Sequence, residues 1–101
     1  MNIQDNIDSI KKQIIAKYSP VKLILFGSWS KMTGTDKSDI DLCIIKDTVD
    51  KKDLLTDMYL NIESDLPIDI IIYTEQEWFE CVNDTTSFAY SINQQGVSIH
   101  G

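Results

Sequence analysis

Three aspartates interrupt segments of the sequence that are otherwise apolar. Asp39 and Asp41 lie two residues apart in the segment SDIDLCIIK, and Asp69 lies in the segment IDIIIY. Both segments are short and rich in branched apolar side chains, which predicts buried β-strands. Because side chains alternate across a strand, Asp39 and Asp41 are expected on one face, with Ile40 on the other. If the two strands are neighbours, Asp69 joins the pair.

Carboxylates gathered on one face of a sheet favour a metal site. Such a group is costly in a partly desolvated place unless it is protonated, paired with a cation or bound to a metal, and the chain contains no arginine. Carboxylate, water and phosphate oxygens are the ligands that Mg²⁺ prefers, so phosphoryl or nucleotidyl transfer with two ions is the predicted use. Each aspartate taken alone also has a structural interpretation: Asp39 caps a strand, Asp41 faces solvent on an edge strand, and Asp69 is a turn residue after Pro67.

A glycine–serine pair follows the apolar segment VKLILF, which is predicted to be the first strand. At Gly27-Ser28 this strand passes into a short helical turn, where backbone N–H groups and the serine hydroxyl suit phosphate oxygens. Gly27 is expected to allow close approach, because a Cβ would collide with a bound triphosphate. Lys31 and Lys37 are the local cations that can reach phosphates, although lysines in a polar loop are usually solvated.

Alternating helices and strands are predicted to position these residues. Apolar side chains at spacings of three and four indicate a first helix from Ile3 to Tyr18 that ends before Pro20. The remaining elements are expected as follows: strand one at 21–26, a turn from Ser28 with a loop around Gly34, strand two at 38–46, helix two at 51–64, strand three at 68–73, a helix capped by Thr74 through Cys81, a last helix capped by Thr85 or Thr86 and ended by Gly96, and a closing strand at 97–100. This order predicts one α/β (α+β) domain over residues 1–101.

Composition excludes several classes of function. The net charge is -7, and the nine basic residues are all lysines, which argues against binding of a long nucleic acid. The acidity fits a solvated surface or a basic protein partner.

Cys43 and Cys81 lack the spacing of a zinc site or a redox pair and are expected to be free thiols. No apolar run reaches the roughly 20 residues of a membrane span, and no signal peptide is evident, so a cytoplasmic protein with no membrane contact is expected.

Taken together, LFGS followed after ten residues by DID, with a later carboxylate in PIDIIIY, resembles the signature of the DNA polymerase β-like nucleotidyltransferase superfamily. The length, the first helix and the ending SFAYSINQQGVSIHG are similar to the minimal nucleotidyltransferases encoded beside HEPN-domain proteins in prokaryotic toxin–antitoxin pairs. The resemblance covers nearly the whole chain. It implies a polymerase β palm-like fold, a mixed β-sheet flanked by helices.

The resemblance also implies an activity and a partner. Asp39 and Asp41 would bridge Mg²⁺, and Asp69 would contribute to the catalytic metal and activate the acceptor hydroxyl. The substrate would be ATP, held at Gly27-Ser28 and two lysines, with two Mg²⁺ ions when nucleotide is bound. In such pairs the nucleotidyltransferase is an antitoxin that transfers AMP onto a tyrosine of its HEPN toxin, usually an RNase, so a hetero-oligomer is expected.

One position departs from the pattern of these relatives. Many of them carry a second glycine four positions after the serine, where this chain has Met32, and often an arginine in the intervening turn. The alternative function is therefore an antitoxin of little or no catalytic activity that neutralises its HEPN toxin by binding alone. Nucleotidylation of a small molecule is a weaker alternative, because those relatives normally add a second domain.

Overall fold

The computed structural model describes residues 3–31 and 39–101. Within these ranges none of the helices has the length and apolar character that crossing a bilayer requires. The elements follow the predicted order: α1 (Ile3–Tyr18), β1 (Lys22–Phe26), a 3-10 turn (Ser28–Lys31), β2 (Ile40–Ile45), α2 (Lys51–Asn61), β3 (Ile68–Tyr73), α3 (Glu75–Cys81), α4 (Phe88–Gln95) and β4 (Val97–His100).

The four strands form one mixed sheet in the order β3-β2-β1-β4. β1 pairs antiparallel with both β2 and β4, whereas β2 and β3 are parallel and are joined through α2. A parallel pair needs a crossover connection, and α2 supplies it. The prediction of a mixed sheet flanked by helices, an α+β fold, is confirmed.

Each face of the sheet carries its own apolar cluster. On one face, α1 and α2 contribute Ile10, Ile14 and Met58 to the larger cluster, together with alternate residues of the strands such as Leu42 and Ile44. On the other face, Ile24, Cys43 and Ile45 pack under Ile92 of α4, with Trp78 of α3 beside them. The expected alternation along β2 and β3 is therefore present, and it sends Asp41 and Asp69 to the face that carries α3 and α4.

Helix α2 is shorter than its sequence pattern predicts. It begins at the N-cap Asp50, whose side chain accepts the Asp53 N–H, and ends at Asn61 instead of residue 64. The residues that follow are held by α1: the Gln13 side-chain amide donates to the Glu63 carbonyl at 2.8 Å and accepts the Glu63 N–H at 2.7 Å. Asn6 of α1, buried to 3% exposure, accepts the Asp65 N–H at 3.1 Å. These tertiary bonds replace the last helical turn.

The two C-terminal helices are capped by side-chain hydroxyls. Thr74 caps α3, as predicted, and forms a capping box with Glu77 in which each side chain accepts the N–H of the other residue. The prediction of Thr85 or Thr86 as the cap of α4 is wrong, because Ser87 takes that position. Its hydroxyl accepts the Tyr90 N–H at 3.0 Å and donates to the Cys81 carbonyl at 2.6 Å, which also ties α4 to α3. Gly96 ends α4, as expected.

Candidate active site

Two of the predicted aspartates lie side by side in the sheet. Asp41 and Asp69 are direct register partners in the parallel pair of β2 and β3, one residue after the start of each strand. The Ile40 N–H donates to the Pro67 carbonyl at 2.9 Å, a bond that fixes the two strand starts beside each other. Because paired residues of neighbouring strands point to the same face, the two carboxylates share one surface.

Asp39 extends this group by one carboxylate. It directly precedes β2 and is exposed, as is Asp69, whereas Asp41 between them is partly buried. Burial, then the charge of Asp69 and then that of Asp39 raise the pKa of Asp41 above its ordinary value. The three carboxylates thus interact electrostatically, and a bound cation would relieve the repulsion that they exert on Asp41.

Gly27 adjoins this group through the neighbouring strand. Phe26 at the end of β1 is the register partner of Asp41, and Gly27 follows with φ +74°, a backbone conformation that favours glycine. A Cβ at Gly27 would overlap the Oδ2 atom of Asp41. Sequence reasoning expected such a Cβ to collide with a triphosphate, but the nearest obstacle in the structure is the carboxylate itself. The glycine is therefore what lets the turn and Asp41 lie in contact.

The predicted nucleotide-binding residues are only partly described. Ser28 is exposed and begins the 3-10 turn, next to Gly27 and at the same end of the sheet as the aspartates. Lys31 closes the turn, but its side chain lies outside the description, as do Lys37, Met32 and Gly34. The roles proposed for the two lysines, and the effect of Met32, stay predictions.

The sequence analysis did not identify Tyr59 of α2 as a residue of the site. Its side chain is 44% exposed, and its hydroxyl accepts the Ile70 N–H at 2.8 Å while donating to Asp69 Oδ1 at 3.4 Å. Because β3 is an edge strand, the Ile70 N–H points away from β2 and needs a partner from outside the sheet. The one signal in the sequence was a tyrosine among aliphatic residues on the helical stripe.

The carboxylate group suits Mg²⁺, an ion that keeps water and phosphate ligands, better than it suits a metal ion whose ligands all come from protein side chains. Across residues 3–31 and 39–101, no three His, Cys, Asp or Glu side chains are gathered into a group that could hold a metal ion. Mg²⁺ is normally bound by one or two carboxylates together with water and substrate phosphates. Asp39 and Asp41, separated by one residue and open to solvent on one side, provide that kind of partial ligand set.

Two further residues near the site have structural roles. Cys43 follows Asp41 on the same face of β2 but is fully buried, and burial raises the pKa of its thiol to about 12. Its thiol therefore stays protonated, which agrees with the expectation of free cysteines. Trp29, which follows Ser28 in the turn, packs against the cluster on the α1 side, where Leu25 lies.

Comparison with known families assigns the chain to a family. The family model described as polymerase beta, nucleotidyltransferase, matches residues 8–100, a span that begins within α1 and includes every later element through β4. A search of curated proteins gives no match.

Proposed function

This chain belongs to the polymerase beta nucleotidyltransferase family, and we propose that it transfers AMP from ATP to a hydroxyl group of a protein acceptor. The observation that supports the proposal is the register pairing of Asp41 with Asp69, with Asp39 close enough to raise the pKa of Asp41. A nucleotidyltransferase needs carboxylates at the place where negatively charged phosphates must be held. Nothing else among the described residues combines such a group with a glycine turn.

The three carboxylates have separate tasks in the proposed reaction. Asp39 and Asp41 would hold Mg²⁺ against the triphosphate, and Asp69 would take the proton of the acceptor hydroxyl. The acceptor oxygen attacks the α-phosphorus and forms a bond to it. The bond from the α-phosphorus to the oxygen that bridges the α- and β-phosphates breaks, so pyrophosphate leaves. When bound, Mg²⁺ neutralises the charge that develops on the phosphate oxygens. Alignment of the reacting groups provides much of the remaining acceleration.

We further propose that the acceptor is a tyrosine of a HEPN-domain toxin, so that the chain acts as an antitoxin. The support is the similarity of the whole sequence to minimal nucleotidyltransferases of such pairs, together with the charge of the chain. A net charge of -7 without any arginine suits a basic protein surface and disfavours a nucleic acid. Asp39 and Asp69 are exposed, so a protein acceptor can reach these carboxylates.

Incubation with labelled ATP and Mg²⁺, with and without the HEPN-domain protein encoded beside the chain, tests both proposals. Mass spectrometry of both proteins should find an AMP adduct on a tyrosine of the partner. The double variant Asp39→Asn, Asp41→Asn should remain folded and transfer no nucleotide, whereas the control Asp65→Asn, an exposed aspartate before β3, should behave as wild type. Transfer by the double variant at the wild-type rate would refute the assigned site.

A second function, neutralisation by binding alone, has one observation in its favour. Tyr59 already engages the Asp69 carboxylate, and the described residues offer no ready-made group of three metal ligands. In that case the double variant would still protect cells that express the toxin. Calorimetry would then detect no Mg²⁺-dependent ATP binding to the wild-type protein.

A further inference from the structure

Two aromatic rings lie on the same face of the sheet as the carboxylate group. Phe26 is the antiparallel register partner of Asp41, and such partners project side by side from one face. Phe88, the first residue of α4, packs edge-on against Phe26, with ring centroids 5.8 Å apart and planes at 85°. The ring of Phe88 is therefore connected to the site through a single contact.

Phe88 is exposed in a way that the packing of α4 does not require. The helix is anchored by Ala89 and Ile92, which are 0% and 2% exposed, whereas Phe88 is 54% exposed. Its contact with Phe26 restrains the ring while leaving much of its surface in water. A restrained, exposed aromatic ring offers a surface on which a nucleic-acid base can stack.

Trp29, the other aromatic residue near the glycine turn, lies on the face of the sheet opposite to the carboxylates. Leu25 and Phe26 are consecutive in β1, so their side chains point to opposite faces. Trp29 packs with the cluster that contains Leu25, whereas Phe88 packs on Phe26. A nucleoside that extends from a triphosphate at Gly27 and Asp41 across this face of the sheet would meet Phe26 and Phe88 but not Trp29.

We propose that Phe88, braced by Phe26, is the platform on which the base of the bound nucleoside triphosphate stacks. The proposal rests on the nucleotidyltransferase function proposed above and adds the subsite that holds the base. Stacking of a base on an aromatic side chain contributes enough that its removal weakens binding by about tenfold or more. This stacking contact involves the base alone, so a variant that lacks the ring of Phe88 should bind the phosphates as well as wild type does.

Calorimetric titration with ATP and with inorganic tripolyphosphate, both with Mg²⁺, separates these two contributions. Phe88→Ala and Phe88→Leu should weaken ATP binding by about tenfold and leave tripolyphosphate binding within about twofold of wild type. Leucine keeps the apolar contact with Phe26 but has no flat ring, so it controls for packing. Phe88→Trp should bind ATP at least as tightly as wild type. Phe79→Ala, which removes a phenylalanine of α3 that is 77% exposed, is the matched control and should change neither ligand.

Four outcomes would overturn the platform. ATP affinity equal to wild type in both Phe88→Ala and Phe88→Leu would refute it while leaving the proposed reaction intact. Equal weakening of ATP and tripolyphosphate would show that Phe88 supports the fold of the site and does not contact the base. A wild-type protein that binds neither ligand would refute the proposed function, and the platform with it. Weakened binding of the protein partner with unchanged ATP affinity would assign Phe88 to the partner surface instead.

Discussion

Replacing Asp41 with asparagine should stabilise the fold while it removes the proposed activity. Asp41 is partly buried and lies between two other carboxylates, and burial together with the charges of Asp69 and Asp39 raises its pKa. At neutral pH the ionised Asp41 is therefore a cost to the folded protein in the absence of a cation. Asparagine has nearly the same shape and carries no charge.

The size of this effect follows from the spacing of the strands. Neighbouring strands lie about 4.8 Å apart, so carboxylates at paired positions are about 5 Å apart. Two unit charges at that distance repel by about 1–3 kcal/mol, depending on the effective dielectric constant. Because the site is open to solvent, the lower end applies, and we expect a gain of about 1 kcal/mol in the free energy of unfolding. For a chain of this length that gain corresponds to a rise in Tm of about 4–8 °C.

The pH dependence of this gain has a definite sign. A carboxyl group whose pKa is raised in the folded state binds its proton more tightly there than in the unfolded state, so stability falls as pH rises through its titration. The destabilisation by ionised Asp41 reaches its full size above the pKa of this group in the folded protein. It is absent below the ordinary carboxyl range, at about pH 3–4. Tm of wild type and Asp41→Asn should therefore differ at pH 7 and converge in acid.

Thermal unfolding followed by circular dichroism, with Asp65→Asn as the control, measures these differences. Added Mg²⁺ should stabilise wild type and have little effect on Asp41→Asn, because a ligand that binds only the folded state raises its stability. A lower Tm for Asp41→Asn at pH 7, or a gain that persists unchanged at pH 3, would contradict the reasoning from charge repulsion.

Two further predictions concern neighbours of the same carboxylates. Gly27→Ala forces a Cβ into a positive-φ position that faces Asp41, so it should lower the free energy of unfolding in urea by about 1–2 kcal/mol. It should also weaken Mg²⁺-dependent ATP binding. Unchanged values of both quantities would show that the contact between Gly27 and Asp41 is unimportant. Tyr59→Phe removes the hydroxyl bonded to Asp69 and should reduce both stability and AMP transfer. Its matched control Tyr18→Phe, which loses a 2.7 Å hydrogen bond to Asp57, should reduce stability alone. Equal transfer by the two folded variants would exclude a role for Tyr59 in the site.

The strands and their faces could be predicted because local patterns determine them. The alternation of Ile68, Ile70 and Ile72 with Asp69 identifies both a strand and its two sides. What the pattern does not contain is the order of the strands. The register that pairs Asp41 with Asp69 depends on the crossover through α2, which is a property of the assembled sheet. The aspartates could be named from the sequence, but their adjacency rested on an assumption that the strands are neighbours.

The errors arose where contacts with a neighbouring helix compete with local preference. Three successive hydroxyl residues, Thr85, Thr86 and Ser87, are all good helix caps, and the bond from Ser87 to the Cys81 carbonyl selects the third. The end of α2 was misplaced because Gln13, about 50 residues earlier, binds the backbone at Glu63. The end of α2 in particular cannot be predicted from a window of neighbouring residues.

The bond between Tyr59 and the backbone of β3 also affects how copies of this protein behave toward one another. The segment IDIIIY has high β-propensity and forms an outer strand, the kind of surface that recruits further chains into fibrils. The Tyr59 hydroxyl accepts the Ile70 N–H of this strand, so that N–H is not available to another chain. Asp69 adds a negative charge at the neighbouring position. We therefore expect the same tyrosine and aspartate that form one side of the proposed site to oppose aggregation at high concentration.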